Sequence, residues 1–178
     1  MKRILSLDLG TKTGWALSPG SLAYVPAGTW VLESPPGMRY AKKLRMDRRL
    51  DPRVMALVNH LGEVHEKTPL DYIVFEDIRF ASSQAQSHLW GSFRGALWAF
   101  AHLNEIQVDC LDTGKLKKSA TGSGSADKPA MAAALVRGFP ALFAHEKGLV
   151  KCLRTGTLLD DNAVDAIHLL NWAQSVLK

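Results

Sequence analysis

The stretch "RILSLDLGTKTGWALS", residues 3–18, decides the fold of this chain. Its first apolar run predicts a strand over residues 3–9 that carries Asp8 near its end, and glycines separate it from a second strand over residues 14–18. A third strand is predicted over residues 27–32, so the chain begins with a meander. A carboxylate at the end of a buried strand is costly unless it has a partner, and this makes Asp8 the first candidate for function.

Farther along the chain, strands alternate with helices. Apolar periodicity and capping signals predict strands over residues 70–77 and 105–111, and helices over residues 52–66, 83–103 and 161–176, with another helix beginning near residues 127–129. Residues 119–125, "SATGSGS", are predicted to form a flexible loop. This order favours an α/β fold with a five-stranded mixed sheet and helices on both faces, in a single domain over residues 1–178.

The composition excludes several classes of protein. No uncharged apolar run approaches the roughly 20 residues of a membrane span, and the apolar stretch after residues 1–3 is too short for a signal peptide. We therefore expect a cytoplasmic, intracellular protein without a membrane partner. Cys110 and Cys152 are too few for a disulfide framework or a zinc site. The net charge of +5 favours a polyanionic partner such as nucleic acid, although a generally solvated basic surface is the alternative.

Two acids at predicted strand ends form the first candidate site. Asp8 ends the first strand, and Glu76 lies near the end of the strand "LDYIVFED", where side-chain alternation lets only one of Glu76 and Asp77 share a given face. If the two strands are neighbours, Asp8 and Glu76 lie side by side. Two unpaired carboxylates beside a core would cost several kcal/mol, and a divalent cation would offset that cost.

A third acidic segment, "DDNAVDA", opens the last predicted helix. Asp161 and Asp165 are four residues apart and so share one helix face, which Asn162 also shares. Helix capping by Asp160 or Asp161 is the alternative explanation, but it does not account for Asp165 in the second turn. Oxygen ligands from three segments, without a histidine or cysteine cluster, favour Mg²⁺ or Mn²⁺. A site of this kind can hold two ions that act in phosphodiester hydrolysis.

Taken together, these motifs resemble those of the RuvC family of Holliday-junction resolvases, which has a ribonuclease H-like fold. The similar segments are "ILSLDLGTKTGWAL", "YIVFEDIRF", "SHLWGSFRGALWAFA", "GKLKKSATGSGSADKPAMAAAL" and "DDNAVDAIHLL". The resemblance implies a set of catalytic metal ligands consisting of Asp8, Glu76, Asp161 and Asp165. It also implies Mg²⁺ as cofactor, with Mn²⁺ as a substitute and two ions per site, and Lys128 as a catalytic group at the scissile phosphate. An ordinary surface lysine is the alternative for Lys128.

The sequence departs from the family pattern at two places. The family commonly has an acid or histidine three residues before its last aspartate, and here that position is Asn162. We expect Asp161 to supply the missing group. Where members often carry an aromatic residue shortly after the glutamate, Arg79 stands here with Phe80 beside it.

Basic residues predict where DNA is bound. The strongest local cluster is "RYAKKLRMDRRLDPR", residues 39–53, which we expect to contact backbone phosphates, although a solvated charged face is the alternative. The predicted DNA-binding residues are Lys42, Lys43, Arg45, Arg48, Arg49, Arg79, Phe80, Lys117, Lys118 and Lys128.

By resemblance, the protein is a homodimer that nicks two opposed strands of a four-way junction. A ridge of Gly91, Gly95 and Ala99 contributes either to that dimer or to packing within one chain. Two other functions stay open: a YqgF-like nuclease that acts on structured RNA, and a catalytically silent module that binds branched DNA. Actin-like ATPases and sugar kinases have a similar opening motif, but their two-domain architecture does not fit into 178 residues.

Overall fold

The computed structural model describes residues 2–18, 24–32, 51–78 and 83–177. Its strands are β1 (Ile4–Asp8), β2 (Lys12–Leu17), β3 (Ala27–Val31), β4 (Tyr72–Asp77), β5 (Gln107–Asp112), β6 (Phe143–Glu146), β7 (Leu149–Cys152) and β8 (Leu158–Leu159). Its helices are α1 (Pro52–Lys67), α2 (Gln84–Leu103), α3 (Thr113–Thr121), α4 (Lys128–Gly138) and α5 (Asp161–Val176).

The main sheet has five strands in the order β3-β2-β1-β4-β5. The first three strands pair antiparallel, whereas β4 pairs parallel with both β1 and β5. The predicted meander and the predicted five-stranded mixed sheet are therefore confirmed. The carboxyl ends of β1, β4 and β5 meet at one edge, as parallel strands require.

Strand β1 lies at the centre of the sheet because both of its faces are apolar. Leu5 and Leu7 pack into a core under α1 and α2, while Ile4 belongs to the opposite core under α4 and α5. Ser6 faces the core under α4 and α5, and its buried hydroxyl donates a hydrogen bond to the carbonyl oxygen of Ala166 at 2.7 Å. Helices thus cover both faces, as the predicted order of strands and helices indicated.

The helices begin where their capping residues predict. Asp51 accepts a hydrogen bond from the backbone nitrogen of Arg53 at 3.0 Å, with Pro52 in the first turn of α1. Ser83 caps α2 through the backbone nitrogen of Gln86. Such caps satisfy backbone groups that have no partner within the helix. None of the helices in the described ranges has the length and apolar character that a bilayer span needs.

Two features of the fold were not predicted. Part of the loop expected at residues 119–125 belongs to α3, which Asp112 caps and which Gly122 ends with a φ of 86°. Helix α3 is short, and only Leu116 of it is buried, so it has no apolar stripe to reveal it. The second feature is a small antiparallel sheet, β6-β7-β8, whose hairpin turns through positive φ angles at Lys147 and Gly148.

Candidate active site

Asp8 and Glu76 lie next to each other because their strands are parallel neighbours in register. Leu7 of β1 is opposite Phe75 of β4, and the two acids follow at the next position of each strand. Asp165 reaches the same place from α5. Each of the three acids offers a carboxylate oxygen, and these oxygens lie within 4.8 Å of one another. The expected convergence of Asp8, Glu76 and Asp165 is therefore seen, and we call these residues the acidic triad.

Helix α5 is held against the sheet by contacts on either side of Asp165. The Ser6 bond to Ala166 ties β1 to the residue that follows this aspartate. At the start of the helix, Asp160 accepts hydrogen bonds from the backbone nitrogen of Ala163 at 3.1 Å and from the Thr29 hydroxyl at 2.5 Å. Burial alone would raise the pKa of Asp160, but these bonds lower it, so its carboxylate is a stable cap.

The acids of the triad lie where ionisation is unfavourable. Burial, followed by the charges of Glu76 and Asp165, raises the pKa of Asp8 well above its usual value. Burial and the charge of Glu76 raise the pKa of Asp165 to about 7. The pKa of Glu76 is also raised by burial, although a hydrogen bond with Thr113 and the charge of Lys117 oppose the shift. Each of these shifts has the direction expected for carboxylates that crowd together without a cation.

This donor set fits a divalent metal ion. The three carboxylates are hard oxygen ligands held on rigid elements, and neither histidine nor cysteine belongs to the group. A bound cation would reverse the repulsion that raises the pKa values of Asp8 and Asp165. The triad therefore has the chemistry of a site that can hold a divalent cation through oxygen ligands.

Two lysines lie near the triad, on neighbouring helices. Lys117, half-buried on α3, lowers the pKa of both Glu76 and Asp165 through its charge. Lys128, exposed at the start of α4, forms an ion pair with Asp161, and this pair raises the pKa of the lysine. Lys118 on the same helix is exposed, and its assignment as a DNA-binding residue stays a prediction.

The other acids of the last helix have different surroundings. Asp161 pairs with Lys128 and is outside the acidic triad, although its charge raises the pKa of both Asp8 and Asp165. The Asn162 side chain donates to Asp160 at 3.3 Å and so supports the helix cap. The assignment of Asp161 as a fourth metal ligand stays a prediction.

Several predicted DNA-binding residues lie outside the described ranges. They are Lys42, Lys43, Arg45, Arg48, Arg49, Arg79 and Phe80. Their assignment rests on the sequence alone.

The sequence did not reveal two residues that position the site. Thr113 bonds to Glu76 from the first turn of α3, just after β5, and Ser6 bonds to the residue that follows Asp165. A signal for Thr113 exists in retrospect, because an aspartate before "TGKLKK" is a helix-capping pattern that places a threonine at a strand end. Ser6 carries a weaker signal, as a polar residue inside an apolar strand.

Comparison with known proteins identifies the fold. No protein-family model matches the chain, and no curated protein sequence matches it. Among solved structures, Thermus thermophilus RuvC in complex with a Holliday junction substrate superposes with a TM-score of 0.65 at 18% identity, covering 95% of this chain and 90% of that one. A further Thermus thermophilus RuvC structure gives a TM-score of 0.61 at 19% identity over 94% of this chain and 90% of that one.

A third similar structure is the yeast mitochondrial Holliday junction resolvase Ydc2. Its TM-score is 0.61 at 16% identity, with 94% of this chain and 75% of that chain covered. The similarity spans nearly the whole of this chain and includes the sheet that carries Asp8 and Glu76. The chain therefore has the α/β fold of these RuvC structures, with the five-stranded mixed sheet that its sequence predicted.

Proposed function

We propose that this protein is a metal-dependent, structure-selective endonuclease that resolves Holliday junctions or related branched DNA by paired nicking. The observation that carries the proposal is the acidic triad of Asp8, Glu76 and Asp165, which lies at the carboxyl edge of the sheet in a RuvC-like fold. Carboxylates grouped in this way on rigid elements suit phosphodiester hydrolysis, since they can hold Mg²⁺ against a phosphate. The net charge of +5 supports a polyanionic substrate.

In this proposal the acidic triad would hold Mg²⁺, and the ion would supply activation of water and stabilisation of the charge that develops on the phosphate. Asp8 and Glu76 would contribute ligands from two adjacent strands, and Asp165 would contribute one from α5. The Thr113 hydroxyl orients the Glu76 carboxylate. Lys117 and Lys128 provide positive charge near the scissile phosphate, and Lys128 exchanges its partner Asp161 for that phosphate.

Paired nicking requires two active sites, and helix α2 offers a surface for a second copy of the chain. A Cβ atom at Gly91 or Gly95 would meet no other atom of the described residues within 4 Å. Trp98, on the same helix, is 54% exposed although its ring lies edge-on to Phe75. Small residues beside an exposed tryptophan allow close approach of another helix and burial of the ring, which favours a symmetric dimer.

The proposal is tested by incubating the protein with a four-way DNA junction, a linear duplex and a structured RNA in the presence of Mg²⁺. We expect cleavage of the junction at paired sites, and little cleavage of the duplex. The variants Asp8→Asn, Glu76→Gln and Asp165→Asn should each lose at least about 100-fold in rate while they retain junction binding. Asp109→Asn, which changes an exposed acid on β5, is the matched control and should cleave like the wild type.

Three results would contradict the proposal. Preferential cleavage of the RNA would favour the YqgF-like alternative. Junction binding without cleavage of any substrate would favour the silent DNA-binding module. Near-normal cleavage by any one of the triad variants would show that the acids serve a structural role.

A further inference from the structure

A cavity of about 560 Å³ opens directly beside the acidic triad. Its walls come from the start of α4, the β6–β7 hairpin and the first turns of α5. Asp165, a member of the triad, and the ion pair of Lys128 with Asp161 line it as well. The cavity and the candidate active site are therefore continuous.

The walls away from the triad are mainly apolar. Pro129 and Ala132 line the cavity from α4, Leu149 and Val150 line it from the hairpin, and Val164 lines it from α5. Its volume lies in the range of pockets that bind small organic groups. The β6–β7 hairpin, which forms one wall, belongs to the small sheet and not to the main sheet that carries Asp8 and Glu76. The hairpin is therefore not needed to hold the acidic triad.

We propose that this cavity receives the base of the nucleotide next to the scissile phosphate, taken out of the stack. This inference rests on the proposed nuclease function. A phosphodiester held at the triad would place the adjoining nucleotide at the mouth of the cavity, since Asp165 belongs to both. Apolar walls suit the faces of a base, and His145 supplies a polar group for its edge.

The charges at the cavity argue for a base rather than a second phosphate. Asp160, Asp161 and Asp165 all line it, against the single lysine Lys128, which the proposed function assigns to the scissile phosphate. A second phosphate there would be repelled, whereas a neutral base would not. Unpaired or weakly stacked nucleotides at a branch point are also the easiest to extrude, so the cavity would favour branched over linear DNA.

The test combines removal of the base with a change in the cavity. Junctions are made with a single abasic nucleotide on either side of the cleavage site, and wild-type cleavage is compared with that of Leu149→Ser and Ala132→Phe. The first variant removes apolar contact from the hairpin wall and the second fills the space from α4. Leu158→Ser is the control, because Leu158 is on the same small sheet and is 40% exposed, compared with 38% for Leu149, but does not line the cavity.

We expect one of the two abasic positions to slow wild-type cleavage by about 10-fold, and the cavity variants to be slowed similarly on the intact junction. The two changes should not add, because each removes the same contact, whereas Leu158→Ser should keep the full effect of base removal. Wild-type cleavage that neither abasic position affects would overturn the cavity proposal alone, as would additive effects. A wild-type protein that binds the junction but never cuts it would overturn the nuclease function and, with it, the cavity proposal.

Discussion

The backbone of Gly14 lies directly against the backbone of Asn162. A Cβ atom at position 14 would stand 1.9 Å from the carbonyl oxygen and 2.3 Å from the carbonyl carbon of Asn162. Gly14 is paired with Asp8 across β1 and β2, and Asn162 is in the first turn of α5. Because only glycine permits this approach, residue 14 sets how closely the helix that carries Asp165 can rest on the strand that carries Asp8.

Replacing Gly14 with alanine should push α5 away from the sheet. We expect Gly14→Ala to cost about 1–3 kcal/mol of stability, which lowers the melting temperature by roughly 5 °C, and to weaken Mn²⁺ binding in calorimetry. The control is Gly62→Ala on α1, where the added methyl group meets no described atom within 4 Å and alanine favours the helix. Unchanged melting temperature and metal affinity for Gly14→Ala would refute the positioning role.

Asp165 should make the metal-free protein less stable as the pH rises. Its pKa is raised to about 7 in the folded chain, so ionisation above the unfolded value of about 3.9 disfavours the native state, and the loss is complete once the pH exceeds about 7. In the presence of a chelator, Asp165→Asn should therefore be more stable than the wild type by about 2 kcal/mol or more near pH 8, with little difference near pH 4.

The same pair of proteins reports on the metal. Added Mg²⁺ should raise the melting temperature of the wild type near pH 8, because an ion that binds only the native state stabilises that state. It should have little effect on Asp165→Asn, which lacks one of the three carboxylates. A variant that is less stable than the wild type at both pH values without metal would contradict the electrostatic interpretation of the triad.

The Thr113 hydroxyl should support metal binding through Glu76. Its hydrogen bond opposes the rise in the pKa of Glu76, so Thr113→Val should make that carboxylate harder to ionise and weaken Mn²⁺ binding by about 10-fold near neutral pH. Thr113→Ser keeps the hydroxyl and should restore most of the affinity. Calorimetric titration at several pH values provides the measurement. Equal loss in the valine and serine variants would point to packing instead.

The fourth group of the site can be assigned by comparing two neighbours. Asp161 stands beside Lys128, whereas Asn162 bonds to the capping residue Asp160. We expect Asp161→Asn to slow junction cleavage by about 10-fold or more, and Asn162→Ala to change cleavage little while it weakens the helix slightly. Single-turnover cleavage rates decide between them, and the reverse order of effects would assign the role to Asn162.

Arg48 and Arg49 are expected to contact DNA phosphates, from their place in the basic cluster of the sequence. The double variant Arg48→Ala, Arg49→Ala should bind junctions more weakly, and the slope of log affinity against log salt should fall by about 2. Lys67→Ala with Arg137→Ala, which removes two exposed charges at helix ends, is the matched control. If the Arg48, Arg49 variant keeps the affinity and salt slope of the wild type, these two residues do not belong to the DNA-binding surface.

The sequence by itself determined the order of elements and the place of the acids along the chain. Alternation in "ILSLD" and the apolar run "YIVFED" predicted buried strands. Asp51, Ser83 and either Asp160 or Asp161 marked helix starts, because periodicity and capping are local properties. The sequence left open whether β1 and β4 are neighbours, and the structure shows that they pair parallel, which puts Asp8 beside Glu76.

Only the tertiary structure decided which side chains meet at the site. The distance of α5 from the sheet depends on the contact of Gly14 with Asn162, and the environment of Glu76 depends on Thr113. The pairing of Lys128 with Asp161 likewise joins two helices. These contacts join residues far apart in sequence, and each depends on a fit of tenths of an ångström, which no local pattern of residue types encodes.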